Sequence, residues 1–350
     1  MKIIILGSHR NLYCGWTTMS KGLSEGFSEH NIENLIIEGI NPDFNINNPF
    51  FLSHHIKGNF LSLLFDTIRI FFYSIYYKPD HIIIIPEPLC KPTFIVSKIL
   101  KIKYSIYSAG TYSSILLEKR GKFSRLAFDS ATNIFPMSDY TRNRIVMKST
   151  NKNIFTVYSG YNSKEYYLRN IQKDKYSIIF VGNLKKRKGL KILCESLSNL
   201  SEDIKDKLLI RLVGVFNWPE FEKFDKLLKL NNISYKVYSN INDKELSILF
   251  NKSTVNVLPS ISDEFYYEGF GIIHSEAIAS NCITIGTLNS GNESAIKEKN
   301  GYLIKQGENS VLELTNLLKN IFISKTIIVP AGQKPLKWFD VTSKILQNLK

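Results

Sequence analysis

Glu268 and Glu276 bracket a glycine pair, Gly269 and Gly271, in the stretch YYEGFGIIHSEAIAS (266–280). Past Gly271 the apolar residues Ile272, Ile273, Ala277 and Ile278 share one face of a helix. Carboxylates near a helix N-terminus suit its dipole. Bare glycines there imply a backbone brought close to a ligand. The N–H groups of Gly269, Phe270, Gly271 and Ile272 suit an anion or sugar oxygens, and the carboxylates suit hydroxyl donors. Two glutamates at this spacing mean little alone, but their context is a strand VNVLPS (255–260), a loop ISDEFYY, then EGFG opening a helix. The next strand, CITIGT (282–287), leads into LNSGNESAI, which sets Asn289, Ser290, Gly291 and Glu293 at the same sheet edge.

A second group with chemistry is the run Lys185, Lys186, Arg187, Lys188, between the strand YSIIFVG (176–182) and a helix from about Leu190. Four cations against the positive end of a helix are unfavourable by themselves. A solvated loop is the plain reading of any charge run. The placement favours another, in which one cation meets a phosphate that the helix terminus also binds. No Asp-x-Asp occurs, so a metal clamp on a diphosphate has no visible ligands, and neither metal nor cofactor is expected. The histidines lack metal-ligand spacing: His54 and His55 fall in a polar stretch, His81 opens a strand, His274 lies past the glycines, and His9 follows the first strand.

The elements that must position these residues are short apolar runs alternating with helical segments. KIIIL (2–6), HIIII (81–85), YSIYS (104–108) and NIFPM (133–137) form one series. YSIIFVG, LLIRLVG (208–214), YKVYS (235–239), VNVLPS and CITIGT form another. Continuous rather than alternating runs mark strands covered on both faces. Strand–helix alternation throughout predicts an α/β fold of two doubly wound domains, 1–160 and 161–328, broken near VYSGYNSKEYY (157–167). Ligands in such folds sit at the carboxyl ends of the strands, here in a cleft between the domains.

Bulk composition narrows the partners. The chain of 350 residues carries a net charge of +14. Residues 1–150 hold 17 basic and 11 acidic side chains, and the remainder 28 and 20. A dispersed excess argues against a nucleic-acid arm and fits an anionic small molecule or an anionic membrane surface. Cys14, Cys90, Cys194 and Cys282 form no CxxC pair, which argues against a disulfide framework or zinc site and for a reducing compartment. The start MKIIILGSHR reads as a strand rather than a signal peptide. FLSLLFDTIRIFFYSIYY (60–77) has the length of a membrane span, but Asp66 and Arg69 interrupt it. It reads as a helix packed on a sheet, with an aromatic helix resting on a membrane surface as the alternative.

The second half resembles the donor-binding domain of retaining GT-B glycosyltransferases, the large family 4 (group 1). GNLKKRKG (182–189) matches the family's Gly-Arg-Leu, three residues, Lys-Gly, with Asn183 in place of the Arg. RLVG (211–214), Pro259 with Ser260, Glu268 to Glu276 around Gly-Phe-Gly, and Gly291 with Glu293 follow in the family's order across 176–305. In the first half, Gly15 resembles the glycine near the donor phosphate, and FPMSDYTR (135–142), with Ser138, the family's Val-Ser-x-Tyr region. KWFDVTSKILQNL, within 329–350, resembles the closing helix that packs back on the N-terminal domain. Many relatives have His-Gly where this chain has Ala109, and Thr111 and Tyr112 are the substitutes for sugar or acceptor contacts.

The resemblance implies two Rossmann-like domains facing across a cleft. It implies transfer of a hexose-type sugar from a UDP- or GDP-linked donor to a glycan or lipid-linked hydroxyl, with retention. Lys188 would stabilise the leaving diphosphate, Asn183 and residues 269–272 would line the donor site, Glu276 would accept from the ribose, and Glu268 would touch the sugar. Abundant Ile, Asn and Lys fit an AT-rich bacterial genome and surface-polysaccharide synthesis in the cytoplasm, at the inner face of its membrane. The alternatives are a GT-B sugar-nucleotide 2-epimerase or phosphorylase and a non-catalytic sugar-nucleotide binder. A dinucleotide oxidoreductase would need GxGxxG where GSHRNLYCG stands.

Overall fold

The structure is a computed structural model that describes residues 1–7, 15–37, 60–296, 301–324 and 334–349. The chain divides into two compact units, Met1–Gly160 with Leu336–Lys350, and Tyr161–Pro335.

Among the described residues of unit one, five parallel strands run β1 (Lys2–Leu6), β2 (Glu33–Ile37), β3 (His81–Ile84), β4 (Lys103–Ser108) and β5 (Asn133–Pro136), in spatial order β2-β1-β3-β4-β5. Among the described residues, six helices connect or follow them: α1 (Gly15–Glu29), α2 (Phe60–Tyr77), α3 (Cys90–Leu100), α4 (Thr111–Glu118), α5 (Gly121–Asp129) and α6 (Asp139–Val146). The β-branched runs of β1 and β3 pair in register, Ile4 with Ile82 and Leu6 with Ile84. All four are buried with Ile106, Ile134, Val96 and Phe128 in one core. Each such side chain contributes about 1.5–3 kcal/mol on burial.

Unit two holds β6 (Asp174–Val181), β7 (Leu209–Val213), β8 (Ser234–Tyr238), β9 (Ser253–Val257), β10 (Ile283–Thr287) and β11 (Tyr302–Ile304), all parallel, in order β11-β10-β9-β6-β7-β8. Its helices are α7 (Leu190–Ser198), α8 (Glu202–Lys205), α9 (Glu222–Leu230), α10 (Asp243–Lys252), α11 (Ile272–Ala279), α12 (Asn292–Ala295) and α13 (Ser310–Ile323). Its core joins Ile178, Phe180, Leu212, Val255 and Val257 of the sheet to Leu193, Leu314 and Leu318 of the helices.

The last helix, α14 (Trp338–Asn348), packs on α1 within unit one. Trp338, Val341, Thr342 and Ile345 are its buried face. The His30 ring stacks on Phe339 at 4.0 Å, and Asn133 Nδ2 donates to the Asn348 carbonyl at 2.9 Å. Among the described residues, no helix is long and apolar enough to cross a membrane. Cys90, Cys194 and Cys282 are buried free thiols, and Cys14 lies outside the described residues.

Candidate functional site

In unit two the strand order reverses at the neighbouring pair β6 and β9, which makes their carboxyl ends the switch point of the sheet. Two loops leave there, 182–189 and 258–271, and the chain locks them together. The Ile261 N–H donates to the Arg187 carbonyl at 2.8 Å. Gly189 has φ +73°, and a side chain there would start 1.8 Å from the Pro259 carbonyl oxygen, so only glycine fits. A third loop joins when the Gly291 N–H donates to the Glu268 carbonyl at 2.8 Å. The Asn289–Glu293 segment thus reaches the same edge, although the Glu293 carboxylate is spent locally on the Asn289 N–H.

This assembly brings Lys188, Glu268 and residues 269–272 to one place. Lys188 Nζ reaches Glu268 Oε2 at 2.7 Å, and Arg187 Nη1 reaches the same oxygen at 2.8 Å. Burial alone would raise the Glu268 carboxyl, but the Lys188 ammonium and the Arg187 guanidinium outweigh it and hold it at about 2. Burial lowers the Lys188 ammonium, and Glu268 partly restores it. Lys185, Lys186 and Asn183 are exposed, and Asn183 Oδ1 accepts from the Val215 N–H at 3.1 Å. Sequence reasoning left Arg187 without a role, because four consecutive cations carry no signal of which ones turn inward.

Gly271 caps α11 in the left-handed conformation, φ +81°, with no side-chain cap on the helix. The first-turn N–H groups of an uncapped helix suit an anion. A Cβ at Gly271 would lie 2.7 Å from His274 Cδ2 and 2.8 Å from Asn292 Oδ1. One face of this glycine is therefore filled by the protein itself. His274 is wholly buried, and its Nδ1 lies 2.6 Å from Thr284 Oγ1. Burial pushes its imidazole down to about 4, against the pull of Glu268, so it is neutral at pH 7. A lone histidine past the glycines gave no hint of this bed beneath the site.

Glu276 lies on α11, two residues beyond His274, and is buried. Burial first, and Asp243 second, push its carboxyl up to about 8. The carboxyl that sequence reasoning treats as a charged acceptor is therefore protonated at neutral pH.

The remaining candidates belong to unit one. Gly15 opens α1, and the ring of its neighbour Trp16 lies 4.9 Å from that of Tyr112. Thr111 and Tyr112 open α4 behind Gly110. The end of that helix is held by a residue the sequence did not single out, Glu87. Its Oε1 accepts from the N–H groups of Ala109 at 2.9 Å and Gly110 at 3.1 Å. Glu87 is wholly buried, and burial pushes its carboxyl up to about 7 against those hydrogen bonds. Ser138 is buried and spends its hydroxyl on capping α6, accepting from the Thr141 N–H at 3.0 Å. His9, His54 and His55 lie outside the described residues. Among the described residues, no three His, Cys, Asp or Glu side chains cluster as metal ligands would.

Residues 168–326 match the protein family described as Glycosyl transferases group 1. Spore coat protein SA of Bacillus subtilis is 28% identical over 207 residues, a match that spans 53% of this chain and 54% of that protein. The chain thus spans about half the length of that curated relative. Three solved structures align over nearly all of both chains. Sucrose-phosphate synthase of Thermosynechococcus elongatus has a TM-score of 0.76 at 16% identity, covering 99% of this chain and 97% of that one. Anabaena HepE in complex with UDP and glucose has 0.74 at 14% identity, covering 100% and 99%. The lipopolysaccharide outer core galactosyltransferase WaaB has 0.62 at 16% identity, covering 99% and 95%. Likeness at such identities speaks to architecture, and the two parallel-sheet α/β domains of this chain match those of GT-B glycosyltransferase structures.

Proposed function

We propose that this protein is a glycosyltransferase that moves a sugar from a UDP- or GDP-linked donor to a hydroxyl of a glycan or lipid-linked acceptor. The observation that carries the reading is the meeting of Lys188 and Glu268 beside the uncapped N-terminus of α11, at the switch point of the sheet. A departing diphosphate gains negative charge, and a fixed cation with a helix terminus in a partly desolvated place stabilises it. Lys188 takes that role. Gly269, Phe270, Gly271 and Ile272 offer backbone N–H groups to phosphate or sugar oxygens, Glu276 holds ribose hydroxyls, and Glu268 meets a sugar hydroxyl. Retention follows from the family resemblance. HepE, solved with UDP and glucose, supports a nucleotide sugar as donor. WaaB, a lipopolysaccharide galactosyltransferase, supports a surface glycan as acceptor. Because fixed cations do the neutralising, transfer is expected to persist in excess EDTA.

The test is a thermal-shift screen with UDP-, GDP- and ADP-linked hexoses, followed by product analysis with and without a hydroxyl acceptor. Binding of one nucleotide sugar raises the melting temperature by mass action. The expected product is an acceptor glycoside of retained configuration, with nucleoside diphosphate released only when acceptor is present. Conversion of the donor to an epimer without acceptor would replace transferase by epimerase, and no shift with any nucleotide sugar would sink the proposal.

A further inference from the structure

The fold sorts the four cations of the run 185–188. Lys185 and Lys186 are exposed, while Arg187 and Lys188 both turn onto Glu268 Oε2, at 2.8 and 2.7 Å. The three side chains are 27, 17 and 11% exposed. Two positive charges against one negative leave a net positive charge in a largely desolvated place, which is costly until an anion completes it. The guanidinium presents five N–H donors in a fixed fork, and Nη1 is the one bound to Glu268. The rest of that fork suits bidentate contact with phosphate. Asn183 is neutral, and its carbonyl oxygen is tied to the Val215 N–H. It therefore adds no charge to the site.

Building on the glycosyltransferase reading, we infer that Arg187 is the second fixed cation of the diphosphate site, and that Glu268 holds both cations in the ligand's stead until it binds. The diphosphate of a nucleotide sugar carries two negative charges, one for each cation. On binding, phosphate oxygens replace the carboxylate oxygen on Arg187 and Lys188. Glu268 is then released to accept from a sugar hydroxyl. No covalent bond changes in this exchange.

The experiment titrates UDP, GDP and ADP into the parent protein by calorimetry and takes forward the tightest, together with its uncharged nucleoside. Arg187→Gln is expected to weaken the diphosphate roughly tenfold, the scale of one lost charge-assisted contact, and to leave the nucleoside unchanged. Lys186→Gln should bind as the parent does. Glu268→Gln should bind the diphosphate at least as tightly as the parent, because no carboxylate competes, while turnover falls. Melting curves establish that each variant is folded, and if Arg187→Gln is not, the Glu268→Gln arm decides alone. Parental affinity in Arg187→Gln, equal loss of nucleoside and diphosphate, or a weakened diphosphate in Glu268→Gln each overturns the inference. A parent that binds none of the three diphosphates overturns the glycosyltransferase reading itself, an outcome distinct from an inert Arg187.

Discussion

Burial pushes two carboxyls of the same segment upward, and cations reverse it at only one of them. Glu268 has two cations on one oxygen and stays ionised, whereas Glu276 pairs with no cation among the described residues and is pushed up to about 8 by burial and then by Asp243. The sign for stability follows. The unfolded chain ionises Glu276 in the ordinary carboxyl range, so its contribution is fully present below that range and is lost as pH rises towards 8. Binding has the opposite sign. If ribose hydroxyls need the carboxylate, binding below pH 8 must release a proton. Affinity for a nucleotide sugar should then rise from about pH 6 to 8, by up to about tenfold per unit, and level off above. Calorimetry in buffers of different ionisation enthalpy reads the released proton directly, and the slope should vanish in Glu276→Gln. A flat profile with no proton release would show that Glu276 does not ionise on binding. For the cations, Lys188→Ala should remove about 2–4 kcal/mol of transition-state stabilisation, the range for one preorganised charge-stabilising group. Lys185→Ala should change the rate little, since its side chain faces solvent. A Lys188→Ala enzyme as fast as the parent would remove this residue from the mechanism.

The elements that hold these residues depend on backbone approach as much as on apolar burial. Gly189 joins the loop after β6 to Pro259 of the loop after β9, through a left-handed turn with no space for a side chain. Gly189→Ala should destabilise unit two by roughly 3 kcal/mol, from backbone strain and overpacking together. It should also weaken nucleotide binding by displacing Arg187 and Lys188. A urea midpoint and a nucleotide affinity both equal to the parent's would refute this account. Such a joint explains what could be read from the chain. Strands β1 and β3 to β10 announce themselves as short apolar or β-branched runs, and the uncapped start of α11 by Gly271. The short edge strands β2, reading ENLII, and β11, only Tyr302–Ile304, bury too few side chains to write such a pattern. Lys188 and Glu268 were legible as a pair of motifs, each at a strand's carboxyl end. Arg187, His274 and Glu87 were not, because their roles rest on which way a side chain turns in three dimensions. The inward turn of Arg187 follows from the short helical turn Lys186–Lys188 and the Gly189 contact, neither of which composition reveals.

At the scale of the whole molecule, the net charge of +14 meets an unusual surface on unit one. The buried stripe of α2 is Asp66, Ile70 and Ser74. Its outward side chains include Phe65, Ile68, Phe72, Ile75 and Tyr76, with Phe72 64% and Tyr76 87% exposed. Ile70 sits in the core with Phe71 and Tyr77 packed beside it, but the outward face is apolar as well, where an ordinary surface helix is polar. The patch continues, since α2 packs on α3 and α3 on α5, where Ile99, Phe123 and Leu126 are also exposed. Lys98, Lys122 and Arg125 lie exposed on α3 and α5, and Lys101 is exposed just past the end of α3. Exposed aromatic side chains on helices that also expose lysine and arginine suit an anionic lipid surface. The rings enter the headgroup boundary, and each cation near the surface adds about 1 kcal/mol. The protein should therefore sediment with vesicles containing phosphatidylglycerol at low salt and not with purely zwitterionic vesicles. Salt of about 0.5 M should release most of it, because it shortens the range of the surface potential to a few ångströms. A double variant, Phe72→Asp with Tyr76→Asp, should stay in the supernatant and still bind nucleotide as the parent does, since both residues lie on the exposed side of α2 in unit one. Sedimentation that ignores lipid charge, or persists undiminished in the double variant, would assign this face to something other than a membrane.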